Sequence, residues 1–197
     1  MIIGLTGKTG AGKSLIASIF EKHEFKVIDA DVIARQVASK GSTCLKELEN
    51  EFGSKILNSD KTLNRTALAK IAFENKENLK KLNDITHPYI INKIKSLLDL
   101  YNKNNIKNII IDAPLLFESK LDKLCSKTIV AKANKRVRLQ RIIKRDNISL
   151  SLAKLRINIQ KNDDYYINKA DYIIDTDCSL EELKTKVEIL IREIILE

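Results

Sequence analysis

A glycine-rich stretch close to the N-terminus restricts the fold of this chain more than any other feature. Four of the six glycines fall within residues 4–14, which read GLTGKTGAGKS. This stretch follows the apolar residues 1–3 and precedes apolar residues with helical spacing in 15–20. Glycine accepts positive φ and lets the backbone approach a ligand closely. A strand, a glycine turn and a helix in this order predict an α/β fold with a ligand at the turn.

Residues 7–14 match the pattern G-x-x-x-x-G-K-[ST] of phosphate-binding loops. Successive backbone N–H groups of such a loop point at phosphate oxygens, and the next helix offers the positive end of its dipole. Lys13 would lie between the β- and γ-phosphates, and the Ser14 hydroxyl would hold Mg²⁺. The sequence therefore predicts a site for ATP or GTP with Mg²⁺. The predicted nucleotide-binding residues are Gly7, Gly10, Ala11, Gly12, Lys13, Ser14 and Leu15.

Five short apolar runs rich in β-branched residues recur along the chain. Most are nearly continuous, as expected for strands that are covered on both faces. Helical patterns separate them, which predicts a parallel sheet with right-handed crossovers. The predicted strands are residues 1–6, 25–29, 107–112, 126–131 and 170–175. Ser179 followed by Glu182 predicts a capping box at the start of the last helix.

Two stretches are longer than the single helix that normally connects two parallel strands. Residues from about 32 to 105 carry only helical patterns, and residues from about 134 to 161 form a second, basic helical segment. No linker rich in Pro, Gly or Ser divides the chain, so a single domain of residues 1–197 is predicted. The predicted fold is a P-loop NTPase of the α/β class, with a five-stranded parallel sheet flanked by helices, a helical insertion and a helical lid. Its core would comprise residues 1–31, 106–133 and 170–197.

The net charge of +9 is concentrated in one segment. Residues 132–161 contain ten Lys or Arg and one acid, Asp146, so they account for the whole excess. Arg138, Arg141 and Arg145 have the spacing i, i+3 and i+7, which places them on one helical face, and Arg141 and Arg145 are the best placed to cover the nucleotide. A mobile cover that carries arginines can stabilise a phosphoryl group in transfer and exclude water. The alternative is a solvated basic face that only keeps the helix soluble.

Acidic residues follow two predicted strands at the carboxyl edge of the sheet, where open parallel sheets bind ligands. Asp29 and Asp31 follow the second strand. A carboxylate here would orient and deprotonate an acceptor hydroxyl, although such a pair is equally typical of a helix N-cap. Asp112 ends the third strand, as in a Walker B motif, and would support Mg²⁺ through water. No acid follows at position 113, which favours transfer to an acceptor over hydrolysis.

Composition excludes several other classes of protein. The longest apolar runs are far shorter than the ~18 residues of a membrane span, and the N-terminus has no basic region of a secretory signal. The three cysteines are widely spaced, which is typical of reduced thiols. These features predict a cytoplasmic protein.

Several motifs, in order and over almost the whole chain, resemble those of the dephospho-coenzyme A kinase family. The glycine loop is similar to the family's GLTGGIGSGKS, and "RLQRIIKRDNIS" followed by "AKLRINIQ" is similar to its lid with spaced arginines. Five further segments match: "DADVIARQV" (29–37), "LNRTALAKIAF" (63–73), "THPYI" (86–90), "IDAPLLFE" (111–118) and "ADYIIDT" (170–176). This set is more specific than the phosphate loop alone.

The resemblance implies transfer of the ATP γ-phosphoryl to the ribose 3′-hydroxyl of dephospho-CoA, the last step of coenzyme A synthesis. Asp31 would be the base, with Lys13 and Arg141 stabilising the transferred charge, and Arg145 would contact the nucleotide. The helical insertion would bind the substrate, with His87 and Pro88 as a turn beside it. The substrate residues implied are Asp29, Arg35, His87, Leu115, Phe117 and Glu118, and the metal residues are Ser14 and Asp112. We expect ATP and Mg²⁺ as cofactors, no nucleic acid or membrane partner, and a monomer or small homo-oligomer.

Five positions or segments depart from the family pattern. In the loop, Lys8-Thr9 replaces the usual Gly-Ile, Ala11 the usual Ser and Leu15 the common Thr, and Thr176 stands where Asn is usual. After Gln160, "KNDDYYINK" replaces a run that usually contains Met-Pro. These departures bear on the lid and on contacts with adenine more than on the reaction.

Three rival functions share parts of the pattern. A nucleoside- or nucleotide-monophosphate kinase would also have the loop and an arginine lid, but residues 29–31 and 114–118 argue against it. A nucleic-acid-stimulated ATPase would explain the charge through binding of the phosphate backbone. A nucleotide-binding module would bind ATP with Mg²⁺ and turn over nothing.

Overall fold

The computed structural model describes residues 1–196. Two compact units make up this part of the chain. The first unit comprises residues 1–28 and the chain from residue 106 onward, and the second comprises residues 29–105. The strands are β1 (Ile2–Gly7), β2 (Lys26–Asp29), β3 (Ile109–Asp112), β4 (Lys127–Lys132) and β5 (Tyr172–Asp175). The α-helices are α1 (Lys13–Lys22), α2 (Ala30–Val37), α3 (Thr43–Phe52), α4 (Arg65–Ala72), α5 (Lys76–Lys103), α6 (Lys135–Asp146), α7 (Leu150–Asn158), α8 (Asp163–Ile167) and α9 (Leu180–Leu196).

The sheet has the strand order β2-β3-β1-β4-β5. β1 pairs in parallel with β3 and β4, and β4 pairs in parallel with β5. The predicted five-stranded parallel sheet is therefore confirmed, and each strand begins and ends within two residues of its predicted bounds. β1, which leads into the glycine loop, lies at the centre of the sheet, so the loop starts from a strand fixed on both sides.

The core of the first unit lies between the sheet and two helices that cover it, α1 and α9. Central side chains of the sheet and of both helices are almost fully buried, which is why the strand sequences are continuously apolar. They include Ile3, Leu5, Ile16, Phe20, Ile129, Val187 and Ile191. The predicted capping box at the start of α9 is confirmed, since Ser179 and Glu182 each accept a hydrogen bond from the backbone N–H of the other.

The second unit is helical, from α2 to α5, with a 3₁₀ turn at Ser54–Ile56. Polar side chains fix the starts of three of its helices by accepting hydrogen bonds from backbone N–H groups of the first turn. Ser42 caps α3, Asn64 caps α4 and Asn75 caps α5. Its apolar core is separate from that of the sheet and includes Ala38, Cys44, Leu48, Phe52, Ile56 and Leu68.

The predicted turn at His87 and Pro88 is wrong, because both residues lie inside the 28-residue helix α5. Proline lacks an N–H group, so the helix loses the hydrogen bond to Asp84 four residues earlier. The apolar side chains of Leu82, Ile85 and Tyr89 pack on the core of the second unit on both sides of the proline. This packing holds the helix together where the local sequence favours a break.

The long helices of the described chain are amphipathic rather than apolar. Within residues 1–196, none of them has the length and hydropathy needed to cross a membrane.

Candidate active site

The glycine loop connects the end of β1 at Gly7 to the start of α1 at Lys13. Gly10 and Gly12 have φ angles of +78° and +87°, a region that favours glycine. A Cβ atom on Gly10 would lie 2.8 Å from the backbone oxygen of Arg138, which is too close for any side chain. The loop can keep this shape only with glycine at both positions.

The first turn of α1 presents polar groups at the end of this loop. Gly12 caps the helix without a side-chain hydrogen bond, so no side chain competes for the N–H groups of the first turn. Ser14 and Leu15 are exposed. Within residues 1–196 the Lys13 ammonium has neither an ion pair nor a hydrogen bond. The half-buried Lys13 ammonium beside a helix N-terminus is a donor set that suits an anion such as phosphate.

Thr9, in the middle of the loop, is held through its main chain. Its N–H donates to Oε1 of Gln160 at 3.1 Å, and its carbonyl accepts from Nε of Arg138 at 3.0 Å. Arg138 also donates from Nη2 to the same Oε1 at 3.4 Å. Arg138 lies in α6, and Gln160 lies two residues past the end of α7.

Arg141, predicted to stabilise the transferred charge, lies against the same loop. Its Nη1 donates to the carbonyl of Gly10 at 3.3 Å and to Oγ1 of Thr176 at 2.8 Å, and Nη2 donates to the Thr176 carbonyl at 2.7 Å. Thr176 Oγ1 in turn donates to the carbonyl of Ala11 at 2.9 Å. The structure therefore places the Arg141 cation beside the loop and fixes it there through a buried threonine.

Arg145, predicted to contact the nucleotide, is instead engaged near the end of α6. Its guanidinium pairs with Asp146 through Nε at 2.7 Å, and Arg156 pairs with the other oxygen of the same carboxylate. The hydrogen bond from Arg145 is the main cause that lowers the pKa of Asp146. Of the two arginines predicted to cover the nucleotide, Arg141 therefore lies at the loop, and Arg145 is paired with an acid.

The segment after β3 lies beside the start of the loop. Asp112 is the last residue of β3 and stands in register with Leu5 of β1. Thr6 Oγ1 donates to the carbonyl of Pro114 at 3.3 Å, which ties the two chain segments together where both leave the sheet. Asp112 therefore lies at the carboxyl edge that was predicted for a metal-supporting acid.

Of the predicted substrate residues in 115–118, one has an exposed side chain and two have enclosed ones. Leu115 is 44% exposed and Phe117 is buried. Glu118 Oε1 accepts a hydrogen bond from the Tyr166 hydroxyl at 3.3 Å, and Glu118 Oε2 is buried without a partner among residues 1–196. Burial raises the pKa of the Tyr166 hydroxyl, and Glu118 adds to this shift, so the hydroxyl remains a donor. The second carboxylate oxygen is left to accept a hydrogen bond from a ligand.

The other predicted site residues belong to the second unit. Asp29 is the N-cap of α2, and its Oδ1 accepts from the N–H groups of Asp31 and Val32 at 2.8 and 3.1 Å. The N-cap interpretation is thus confirmed for Asp29, and it orients the first turn in which the exposed Asp31 lies. Arg35 is in the last turn of α2.

His87 lies in α5 and is partly enclosed by its surroundings. Burial lowers the pKa of its imidazole below the usual value, and Asp84 opposes this shift. The ring is therefore mainly neutral near pH 7, so one ring nitrogen can donate a hydrogen bond and the other can accept one.

Sequence reasoning gave Arg138, Gln160, Thr176 and Tyr166 no role beside the loop. Thr176 was noticed only as a departure from the family pattern. The sequence placed Arg138 on one helical face with Arg141 and Arg145, but it could not predict the burial of Arg138, because this depends on contacts with the distant glycine loop.

Comparison with known proteins gives consistent results. The sequence profile of the family described as dephospho-CoA kinase matches residues 1–182. A dephospho-CoA kinase from Fusobacterium nucleatum is 45% identical over 188 residues, with 95% of each chain covered. The structure of a dephospho-CoA kinase from Campylobacter jejuni has a TM-score of 0.72 at 33% identity, covering 98% of this chain and 96% of that one. A shikimate kinase from Acinetobacter baumannii, 18% identical over 100% of this chain and 95% of that one, shares the fold with a TM-score of 0.56.

Proposed function

The chain belongs to the dephospho-CoA kinase family, and from this premise we propose that residues 7–14 bind the triphosphate of ATP while Asp31 activates the acceptor. The family catalyses the ATP-dependent final step of coenzyme A biosynthesis, in which phosphate passes to a hydroxyl group. The observation that carries the proposal is the loop itself, with its two left-handed glycines and an uncapped helix N-terminus at Lys13.

The nucleotide would be held mainly by main-chain N–H groups. A loop of this shape directs successive amides inward, and the first turn of α1 adds its own N–H groups and the helix dipole. The Lys13 ammonium, which no acid neutralises within residues 1–196, would bridge the β- and γ-phosphates. The Arg141 cation beside Gly10 would add positive charge at the same loop.

The residues at the edge of the sheet fit Mg²⁺ by their chemistry. This ion prefers oxygen ligands and takes some of them from substrate phosphates and from water. Ser14 offers a hydroxyl in the first turn of α1, and Asp112 offers a carboxylate at the end of β3. When bound, the ion would neutralise the charge that develops on the β- and γ-phosphates.

Asp31 would act as the general base toward the ribose 3′-hydroxyl of dephospho-CoA. As the hydroxyl oxygen forms its bond to the γ-phosphorus, the carboxylate takes the hydroxyl proton, and the bond from phosphorus to the bridging oxygen breaks to release ADP. Asp29 supports this role because its cap fixes the first turn of α2, which contains Asp31. The same cap leaves Asp29 itself less free to bind substrate.

The predicted substrate residues would recognise the acceptor by several kinds of contact. Glu118 offers a buried carboxylate oxygen, which would accept from an N–H or O–H group of dephospho-CoA. Leu115 would offer exposed apolar surface and Phe117 would contribute from a buried position, while Arg35 and His87 would offer hydrogen-bond donors. Arg145 would have to leave Asp146 to contact the nucleotide. We therefore propose that Lys13 and Arg141 supply the main positive charge at the phosphates.

The basic segment gives little support to nucleic acid as a partner. Arg138 and Arg141 are committed to the glycine loop, and Arg145 and Arg156 are paired with Asp146. These contacts favour a small-molecule substrate. From the sequence we also propose a cytoplasmic enzyme that is a monomer or small homo-oligomer.

A panel of acceptors tests this function. Purified protein with ATP and Mg²⁺ should consume ATP rapidly only when dephospho-CoA is present, and mass spectrometry should show a product heavier by one phosphate. AMP, dTMP, shikimate and RNA are the competing acceptors or activators. Faster turnover with any of them, or hydrolysis that no acceptor changes, would contradict the proposal.

A further inference from the structure

A closed ring of hydrogen bonds surrounds the backbone of Thr9. Arg138 donates to the Thr9 carbonyl at 3.0 Å and to Gln160 Oε1 at 3.4 Å, and the same oxygen accepts the Thr9 N–H at 3.1 Å. Both contacts to Thr9 are made to its main chain, so they do not depend on the identity of its side chain. The ring therefore acts on the path of the loop.

The burial of Arg138 indicates that this ring is more than a surface contact. The residue is only 2% exposed. A buried cation is costly unless hydrogen bonds compensate it, and burial accordingly lowers the pKa of this guanidinium, with Asp163 opposing the shift. Its backbone oxygen also lies so near Gly10 that a Cβ atom there would be 2.8 Å away. Arg138 thus contacts the loop from both its side chain and its main chain.

Peptide geometry links these contacts to the phosphate site. The bond between Thr9 and Gly10 is trans, as are all peptide bonds in the described chain. In a trans peptide the carbonyl and the next N–H point in opposite directions. When Arg138 fixes the Thr9 carbonyl on one side of the loop, it directs the Gly10 N–H to the other side. Thr176, which donates to the Ala11 carbonyl, fixes the direction of the Gly12 N–H in the same way.

We propose that Arg138, together with Gln160, is a positioning residue that directs the Gly10 amide at the bound triphosphate. This rests on the proposed function of the loop. Neither residue would touch ATP, because each acts through Thr9. The two residues come from opposite ends of the basic helical segment, α6 and the end of α7, so the shape of the loop and the placement of that segment depend on each other.

Direct nucleotide binding separates this proposal from the identity of the acceptor. We would measure binding of a fluorescent ATP analogue with Mg²⁺ and without acceptor to Arg138→Met, Gln160→Met and the double variant. Loss of a hydrogen bond to a charged group corresponds to about 10- to 100-fold weaker binding. The double variant should be no weaker than the worse single variant, because either change opens the ring. Arg138→Lys should recover only part of the affinity, since one nitrogen cannot reach both acceptors.

Arg136→Met is the matched control, because Arg136 is exposed on the same helix and its guanidinium has no partner within residues 1–196. It should bind the analogue as the unmodified protein does. In steady-state assays with dephospho-CoA, the variants should raise the KM for ATP and leave the KM for the acceptor within about twofold. Unfolding curves identify any variant that does not fold. If Arg138→Met does not fold, Gln160→Met provides the test, because Gln160 is only half-buried.

Unchanged affinity of a folded Gln160→Met or Arg138→Met protein would overturn the proposal. An equal loss of affinity in Arg136→Met would also overturn it, since the loss would then be due to the change in net charge alone. If binding changes as expected but dephospho-CoA is not phosphorylated, the positioning role stands and the proposed function fails.

Discussion

Asp31→Asn should lower kcat by about 10²- to 10⁴-fold, the usual contribution of a general base. Asn has the same shape and can still orient the 3′-hydroxyl, but its amide cannot accept the proton that the hydroxyl must lose. ATP binding should persist, because the phosphate loop keeps all its own groups. Steady-state kinetics with saturating ATP and dephospho-CoA would show the fall in kcat with little change in the KM for ATP.

Asp99→Asn is the matched control for this change. It removes one carboxylate from an exposed position of α5 in the same unit, without any role in the site. Its kcat should stay within about twofold of the unmodified enzyme, as expected for surface substitutions. If Asp31→Asn were as active as Asp99→Asn, the base would have to be Asp29 or no base would operate.

Lys13→Ala should lower kcat/KM for ATP by about 10²- to 10³-fold with any acceptor. The magnitude is that of removing one preorganised donor from a transition state that carries charge on phosphate oxygens. Because no acid neutralises this ammonium within residues 1–196, its whole charge is available to the nucleotide. The effect should appear both in kcat and in binding of ATP, in contrast to that of Asp31→Asn.

Lys22→Ala provides the comparison, since Lys22 lies exposed in the last turn of the same helix. This control should retain normal kinetics. An activity of Lys13→Ala close to that of Lys22→Ala would show that the triphosphate binds elsewhere. Loss of dephospho-CoA binding with normal ATP binding would instead assign Lys13 to the acceptor.

Much of the first unit could be predicted because its signals are local. The strands of a sheet covered on both faces are apolar throughout, so β3 and β4 can be recognised from their own residues. The glycine pattern records backbone angles that other residues rarely adopt, as the positive φ of Gly10 and Gly12 shows. The reaction of the family followed from motifs that lie in order over almost the whole chain.

Other parts of the site depend on contacts that no local pattern records. Arg138 was expected only as one member of a basic helical face, yet it is hydrogen-bonded to Thr9, 129 residues earlier. Thr176 reaches the Ala11 carbonyl over 165 residues. The turn expected at His87 and Pro88 was wrong because packing on the second core outweighs the local preference of proline.

A crystal structure of the enzyme with dephospho-CoA and a non-transferable ATP analogue would test the central claim most directly. We expect the triphosphate on the amides of residues 7–14, and an Asp31 carboxylate oxygen about 2.6 to 3.2 Å from the ribose 3′-oxygen. The 3′-oxygen should stand in line with the γ-phosphorus. A triphosphate bound away from the loop, or an Asp31 carboxylate turned away from the 3′-hydroxyl, would contradict the account.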